Sequence, residues 1–267
     1  MKTSHLELDV VRHRTRVTRM ASRAPLRFLE TGRHESAVEI QMSSYGGGIL
    51  QGDRVGIDVR CGDHAGLLLK SQANTHVYRN ENGRQSMQVL QAECGAHARI
   101  VSVPDPVVLH AGANFRQEQV WNLSASTDLV LADWMQSGRS ESNEQFAFTR
   151  FESHVLINIG DRAVLEETLV CRPGNDDIRS PALFGPYDLM LNIYILGPNA
   201  AARAEQLQPF LDIQEIHANT LPASRTSAWP PWLCALNPLP ESIGYIFRAM
   251  AKTRRQLQPV LDAIGRP

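Results

Sequence analysis

The chain has 267 residues, of which 43% are hydrophobic and 21% are charged, a composition that excludes a disordered, collagen-like or disulfide-stapled protein. Its formal net charge of −1 argues against a nucleic acid or an anionic membrane as a partner held by bulk electrostatics. No apolar run approaches the ~18 residues that a membrane span requires.

Arginine is frequent near the start of the chain, but hydrophobic residues separate the arginines and acidic residues flank them. This pattern predicts a solvated strand face rather than a basic binding patch. The residues concerned are Arg12, Arg14, Arg16, Arg19, Arg23 and Arg27.

Short apolar runs bounded by Gly, Asn, Asp and Ser dominate the chain up to about residue 195, and they predict strands joined by turns. Such runs occur at residues 67–69, 100–101, 129–131 and 155–157. Gly160 and Asp161 stand between two apolar stretches and predict a tight hairpin.

A weak internal repeat begins at Gly62, Gly95 and Ala125, which gives steps of 33 and 30 residues. Units of this size predict stacked sheets in an irregular β-solenoid, with a plain β-sandwich as the alternative. His64 and His97 occupy equivalent turns of the repeat. We expect them to be solvated, although two such rings could also face each other across stacked units.

From residue 196 onward the pattern changes to a mixture of helix and strand. Asn199 is placed to cap a helix that runs to Leu211, although Pro209 disturbs its last turn. The proline-rich residues 221–240 predict an irregular segment, residues 243–248 a late strand, and residues 253–264 a terminal helix interrupted by Pro259. We therefore expect one domain over 1–267, with a β-scaffold at 1–195 and a mixed portion at 196–267.

The last strand and helix carry more apolar side chains than a short terminal helix needs to dock on its own sheet. Excess apolar area of this kind is typical of a partner interface, with ordinary core packing as the alternative. The residues concerned are Phe247, Met250, Leu257, Val260 and Leu261.

The usual signatures of a catalytic centre are missing from the sequence. The glycine-rich residues 46–53 lack the Gly-Lys-Ser/Thr ending of a phosphate loop. The nine histidines show no i, i+4 pair, and no Gly-x-Ser-x-Gly elbow is present. We therefore expect a binding protein and not an enzyme.

Cys61, Cys94, Cys171 and Cys234 are widely separated and form no Cys-x-x-Cys pair. No secretory signal is recognisable at the beginning of the sequence. These features predict a reducing, cytoplasmic setting.

Several blocks resemble, in the same order along the chain, those of the urease accessory protein family UreD, called UreH in some species. The blocks are residues 44–53 with their Gly-Gly-x-x-x-Gly-Asp pattern, 71–79, 104–106 with 113–117, and 133–139 with Glu144. The matching positions are Tyr45, Gly46, Gly47, Gly52, Asp53, Gln72, Tyr78, Arg79, Pro104, Pro106, Gln117, Trp134, Gly138 and Arg139. The sequence departs from the family at His76, where lysine is usual, and at Ser71, where threonine is usual.

This resemblance implies an all-β fold of stacked sheets with one or two C-terminal helices. It also implies a scaffold that binds the urease structural subunits and UreF, and that recruits the GTPase UreG through UreF, in an accessory complex that could be dimeric. Nickel would pass through in transit without being a permanent cofactor.

A water-filled passage lined by acids is a plausible route for a divalent cation, and we expect Asp53 and the inward member of the pair Glu166 and Glu167 to line it. The structural alternative is that Asp53 caps its own turn and that the glutamate pairs with Arg162 or Arg172. Two other functions stay open: a carbohydrate-active or carbohydrate-binding solenoid that uses Asp53, Asp105 or Glu166, and a β-scaffold for some other complex.

Overall fold

A computed structural model describes residues 2–213 and 229–266, and strands predominate among them. The strands are β1 Lys2–Val11, β2 Arg14–Ala21, β3 Leu26–Arg33, β4 Val38–Ser44, β5 Gly48–Ile49, β6 Arg54–Cys61, β7 Gly66–Ser71, β8 Thr75–Val77, β9 Ser86–Cys94, β10 Arg99–Ser102, β11 Val107–Leu109, β12 Asn114–Leu123, β13 Asp128–Gln136, β14 Arg150–Ile159, β15 Arg162–Cys171, β16 Leu189–Leu196, β17 Trp232–Pro238 and β18 Gly244–Ala251. The α-helices with defined bounds are α1 Ala200–Glu205 and α2 Arg254–Ile264, and residues 208–213 are also helical.

The chain winds between two sheets, so that consecutive coils stack on one another. Sheet A has the order β15-β14-β12-β9-β6-β1-β2, and sheet B has the order β17-β18-β16-β13-β10-β7-β4-β3. The central neighbours β6, β9, β12 and β14 in sheet A are parallel, as are β4, β7, β10 and β13 in sheet B. A third, short parallel ladder joins β5, β8 and β11. The predicted β-solenoid-like stack of sheets is therefore confirmed, and the plain sandwich is not.

The predicted repeat corresponds to one coil of this stack, with one correction. Gly66 pairs with Arg99, and Arg99 pairs with Asp128, so the steps are 33 and 29 residues. The predicted second step of 30 was wrong by one residue. His64 and His97 are exposed, and their rings also stack with centroids 4.8 Å apart.

Antiparallel elements close the stack on both sheets. The predicted hairpin is confirmed: Gly160, at a φ of 57°, turns β14 into β15. Strand β2 forms an edge of sheet A and carries Arg14, Arg16 and Arg19, whereas Arg27 lies on β3 of sheet B. Of the six arginines at residues 12–27, five are exposed and Arg16 is partly buried. The predicted late strand corresponds to β18.

Helix α2 packs against the outer face of sheet B. The backbone N–H of Thr253 donates to Gln256 Oε1 at 2.9 Å, which completes a capping box. Four apolar residues at helical spacing face the sheet and are buried: Leu257, Val260, Leu261 and Ile264. Pro259 lies on the exposed face, so the helix continues past it.

Three expectations for the C-terminal portion need correction. The predicted helix from Asn199 to Leu211 is divided, because α1 ends at Glu205 and helical structure resumes only at 208. Asn199 caps no helix with its side chain, which instead donates from Nδ2 to Asp128 Oδ2 at 2.7 Å. Of the proline-rich segment, residues 221–228 lie outside the described residues, whereas 232–238 form strand β17 rather than an irregular stretch.

The predicted partner interface is also corrected, because its side chains belong to the protein's own core. Phe247, Leu257, Val260 and Leu261 are buried in the cluster between sheet B and α2. Met250 is partly buried and packs against a second cluster. The exposed apolar area on which that prediction depended is therefore not present at these five residues.

Candidate functional site: a polar layer between the sheets

The space between the two sheets holds two separate apolar clusters. The first cluster contains Leu131 and Trp121, and the second contains Phe115 and Met135. On β12, the inward positions Gln117 and Gln119 stand between Phe115 and Trp121, because alternate residues of a strand point to the same face. The polar side chains therefore lie between the two clusters.

The same interruption occurs on the neighbouring strands. On β13, Asp133 stands between Leu131 and Met135, and on β14, Ser153 stands between Phe151 and Val155. In sheet B, Asp133 pairs with Asn192, and Asn192 pairs with Arg248. Three further polar residues, Gln88, Ser102 and Glu167, belong to the same group. We call the following nine residues the polar layer: Gln88, Ser102, Gln117, Gln119, Asp133, Ser153, Glu167, Asn192 and Arg248.

Asp133 is the central acid of the polar layer. Its Oδ1 accepts a hydrogen bond from Gln117 Nε2 at 2.6 Å, and its Oδ2 accepts one from Ser153 Oγ at 2.8 Å. Burial raises the pKa of Asp133 to about 6, although these two hydrogen bonds act in the opposite direction. Near neutral pH, a minor fraction of the molecules therefore carries a proton on Asp133.

Glu167 lies toward one side of the polar layer, where the interior reaches the surface. Arg248 forms a two-pronged ion pair with it, and the second prong joins Nη2 to Glu167 Oε2 at 2.8 Å. Tyr194 donates its hydroxyl to Glu167 Oε2 at 3.2 Å. Burial, together with the charges of Asp133 and Glu167, raises the pKa of Tyr194 strongly, so this hydroxyl stays protonated.

A cavity of about 350 Å³ borders the other side of the polar layer. It is large enough for several water molecules, and its polar wall provides them with hydrogen-bonding partners. Its wall includes Gln88, Ser102, Gln117, Gln119 and Asp133 from the polar layer, together with the partly exposed Asn74, His76 and Asp105 and the buried Trp134.

The structure separates the three acids that the sequence analysis placed along a passage. Asp53 Oδ2 accepts the backbone N–H of Leu50 at 2.9 Å, which is the turn cap given as the alternative. Glu166 points outward and contacts His154 Nε2 at 3.1 Å. Glu167 is the inward member of the pair, and its partner is Arg248 rather than Arg162 or Arg172.

Asp133, Ser153 and Arg248 were missed as site residues by the sequence analysis. The available signal was a polar residue at an inward position of an otherwise apolar alternation, as Asp133 shows between Leu131 and Met135. Gln117 was noted only as a matching block position.

The family-like blocks converge around the short ladder β5, β8 and β11. Gly48 of the glycine-rich block pairs with His76 of the second block. His76 pairs in turn with Val108, which follows the Pro104–Pro106 block. The fourth block lies on β13, which β11 joins, and its Trp134 donates from Nε1 to the Pro104 carbonyl at 2.7 Å.

Two histidines meet on this ladder. His76 Nδ1 lies 2.9 Å from His110 Nε2, and the Tyr78 ring contacts the edge of His110 at a centroid distance of 4.9 Å. Burial, followed by the charge of Arg139, lowers the pKa of both histidines. Arg139 itself forms a two-pronged ion pair with Glu144.

Within the described ranges 2–213 and 229–266, no group of three or more His, Cys, Asp or Glu side chains is arranged to hold a metal ion. Over the same ranges, no helix is long and apolar enough to span a membrane.

A family model described as the UreD urease accessory protein matches residues 2–266. The chain is 37% identical over 194 residues to the urease accessory protein UreD of Sorangium cellulosum, covering 73% of this chain and 61% of that protein. It is 27% identical over 268 residues to UreD of Cytophaga hutchinsonii, covering 98% of this chain and 92% of that protein. It is 31% identical over 211 residues to the urease accessory protein D of Oryza sativa subsp. indica, covering 77% of this chain and 68% of that protein. The matched region thus spans less than two thirds of the Sorangium relative but nearly all of the Cytophaga relative.

Proposed function

Because this chain belongs to the UreD family of urease accessory proteins, we propose that it is a non-catalytic scaffold for the maturation of urease. It binds the urease structural subunits and UreF, and through UreF it recruits UreG, in an assembly that we propose to be dimeric. The observation that carries the proposal is the family match over residues 2–266.

The polar layer supports a role in nickel delivery. A divalent cation crossing a protein needs oxygen or nitrogen ligands that hold it weakly, because converging carboxylates would retain it. Asp133 borders the cavity, and Glu167 lies at the opposite side of the polar layer, where Arg248 neutralises it. Single carboxylates among amides and hydroxyls meet this requirement.

The proposed passage therefore keeps Glu167 from the sequence analysis and adds Asp133. Asp53 and Glu166 have contacts that favour structural roles, since one caps a turn and the other faces outward. In the proposal, nickel crosses as cargo and has no permanent site.

The test compares Asp133→Asn and Glu167→Gln with the matched control Glu166→Gln, each co-expressed with the urease subunits and the other accessory proteins. We expect the complex to assemble with all three variants, and nickel in purified urease to fall severalfold with the two interior variants alone. Nickel content equal to wild type in both would reject the passage. Failure of the wild-type chain to co-purify with urease subunits would reject the scaffold role itself.

The carbohydrate-active alternative requires free carboxylates that face each other across a sugar. The acids proposed for it are engaged separately: Asp105 pairs with Arg254, Glu166 with His154, and Asp53 with its own turn. This arrangement does not favour that alternative.

A further inference from the structure

The nitrogen atoms of His76 and His110 that face each other lie at a distance found both in hydrogen-bonded imidazoles and in imidazoles that bind the same metal ion. The two facing nitrogens, Nδ1 and Nε2, are 2.9 Å apart, and the ring planes are nearly perpendicular at 83°. Two metal–nitrogen bonds of about 2.0–2.1 Å at an angle near 90° place their nitrogens about 3 Å apart. To bind one ion, both rings must rotate away from the line that joins the two nitrogens, because their lone pairs must converge on a point beside that line.

The surroundings hold this pair in place. His76 lies on β8 between the neighbouring strands β5 and β11, and His110 directly follows β11. His110 is only 9% exposed, and the Tyr78 ring packs against its edge. A preorganised pair loses little conformational entropy when an ion binds.

The pair also has access to solvent and to the polar layer, because His76 borders the cavity. The charge of Arg139, which would oppose a cation, is balanced by its ion pair with Glu144. Two protein ligands leave the other coordination positions to water, which makes the bound ion exchangeable.

We propose that His76 Nδ1 and His110 Nε2 form a binding site for a divalent transition-metal ion of the nickel, zinc and copper class. The proton that now lies between the rings moves, through solvent, to the far nitrogen of the same ring, so no net proton is released. Imidazole suits these metals, whereas calcium and magnesium prefer oxygen ligands. Nickel as the physiological ion rests on the proposed function, but metal binding at the pair does not.

The chain supplies a matched control in its other histidine pair. His64 and His97 are stacked face to face, with centroids 4.8 Å apart and planes 20° apart, so their nitrogens do not point at each other. Each pair joins two adjacent coils, but the pairs differ in ring orientation and in burial, because His64 and His97 are exposed whereas His110 is buried.

The experiment titrates the full chain with nickel chloride by calorimetry, using wild type, His110→Gln, His76→Lys and the control His64→Gln. His76→Lys introduces the residue that is usual in the family at this position. We expect the two variants of the pair to weaken the tightest site by at least about tenfold. His64→Gln should leave that site unchanged. Equal affinity in wild type and His110→Gln, or an equal loss in His64→Gln, would overturn the proposal.

A second measurement needs no variant and therefore does not depend on the folding of one. Copper(II) added to the wild-type chain should show an electron paramagnetic resonance spectrum with two coupled imidazole nitrogens at low occupancy. A spectrum without imidazole nitrogen coupling contradicts the site. Lost binding in His110→Gln together with normal urease activation would confirm the site but separate it from the proposed function.

Discussion

At the scale of single residues, the interior acid Asp133 makes stability depend on pH. Its pKa in the folded protein is about 6, against an ordinary value of 3.8, so the folded state holds the proton more tightly than the unfolded state. The stability associated with the protonated form is present below pH ~4 and is lost as pH rises through ~6.

Replacing the acid with its neutral isostere should remove this loss. We expect Asp133→Asn to raise the free energy of unfolding by about 1 to 3 kcal/mol at pH 7.5 and to change it little at pH 4. Denaturant titrations at the two pH values measure the difference, with the exposed Glu166→Gln as control. A difference between wild type and Asp133→Asn that is the same at both pH values would contradict the assignment.

Gly48 is the position where the ladder β5–β8 requires the absence of a side chain. A Cβ atom there would lie 2.3 Å from the carbonyl oxygen of His76. We expect Gly48→Ala to destabilise the protein by about 1 to 3 kcal/mol, because the two backbones must separate. Gly174 has open space around its Cβ position, so Gly174→Ala serves as the control in thermal unfolding. If Gly174→Ala lowers the stability of the protein as much as Gly48→Ala does, this explanation is contradicted.

At the scale of elements, α2 is part of the core and not a detachable arm. Arg254 connects it to the coils through Asp105 and Asn74 Oδ1, the latter at 2.8 Å, while its guanidinium lies over the Trp134 ring. A truncation before this helix would expose the cluster beneath it. Loss of partner binding in such a truncation would therefore report unfolding rather than an interface.

A point substitution tests this role more cleanly. Leu257 is fully buried, and we expect Leu257→Ala to lower the free energy of unfolding by about 2 to 5 kcal/mol. The adjacent Arg255 is exposed, so Arg255→Ala should change it by less than about 0.5 kcal/mol. Equal, small effects of both variants in chemical denaturation would show that α2 contributes little to the core.

The elements that the sequence predicted well are those whose signals are local. The Gly160-Asp161 hairpin depends on turn chemistry within a few residues, and α2 depends on apolar spacing that tolerates the exposed Pro259. The side-chain cap expected at Asn199 is absent because Asp128, distant in sequence, takes the hydrogen bonds of that residue. Strand β17 was missed because its pairing with β18 overrides a proline-rich composition.

At the scale of the whole molecule, the repeat was enough to predict stacked coils but not their register. The step from Arg99 to Asp128 is one residue shorter than the similarity of turns suggested, because strand pairing and not turn composition sets it. The alternation in the sequence could indicate single members of the polar layer, but it could not show which of them meet. The members of the polar layer come from strands as distant in sequence as those of Gln88 and Arg248, and only pairing brings Asp133, Asn192 and Arg248 together.

The polar layer also divides the interior into two hydrophobic cores that share strands but few apolar contacts. Regions joined in this way tend to open as separate cooperative units. Native-state hydrogen exchange should therefore resolve two opening free energies within a single strand. On β12, the amides near Trp121 should exchange with one opening free energy, and the amides near Phe115 should exchange with the other. The scaffold would then be able to loosen at one end while the other stays folded.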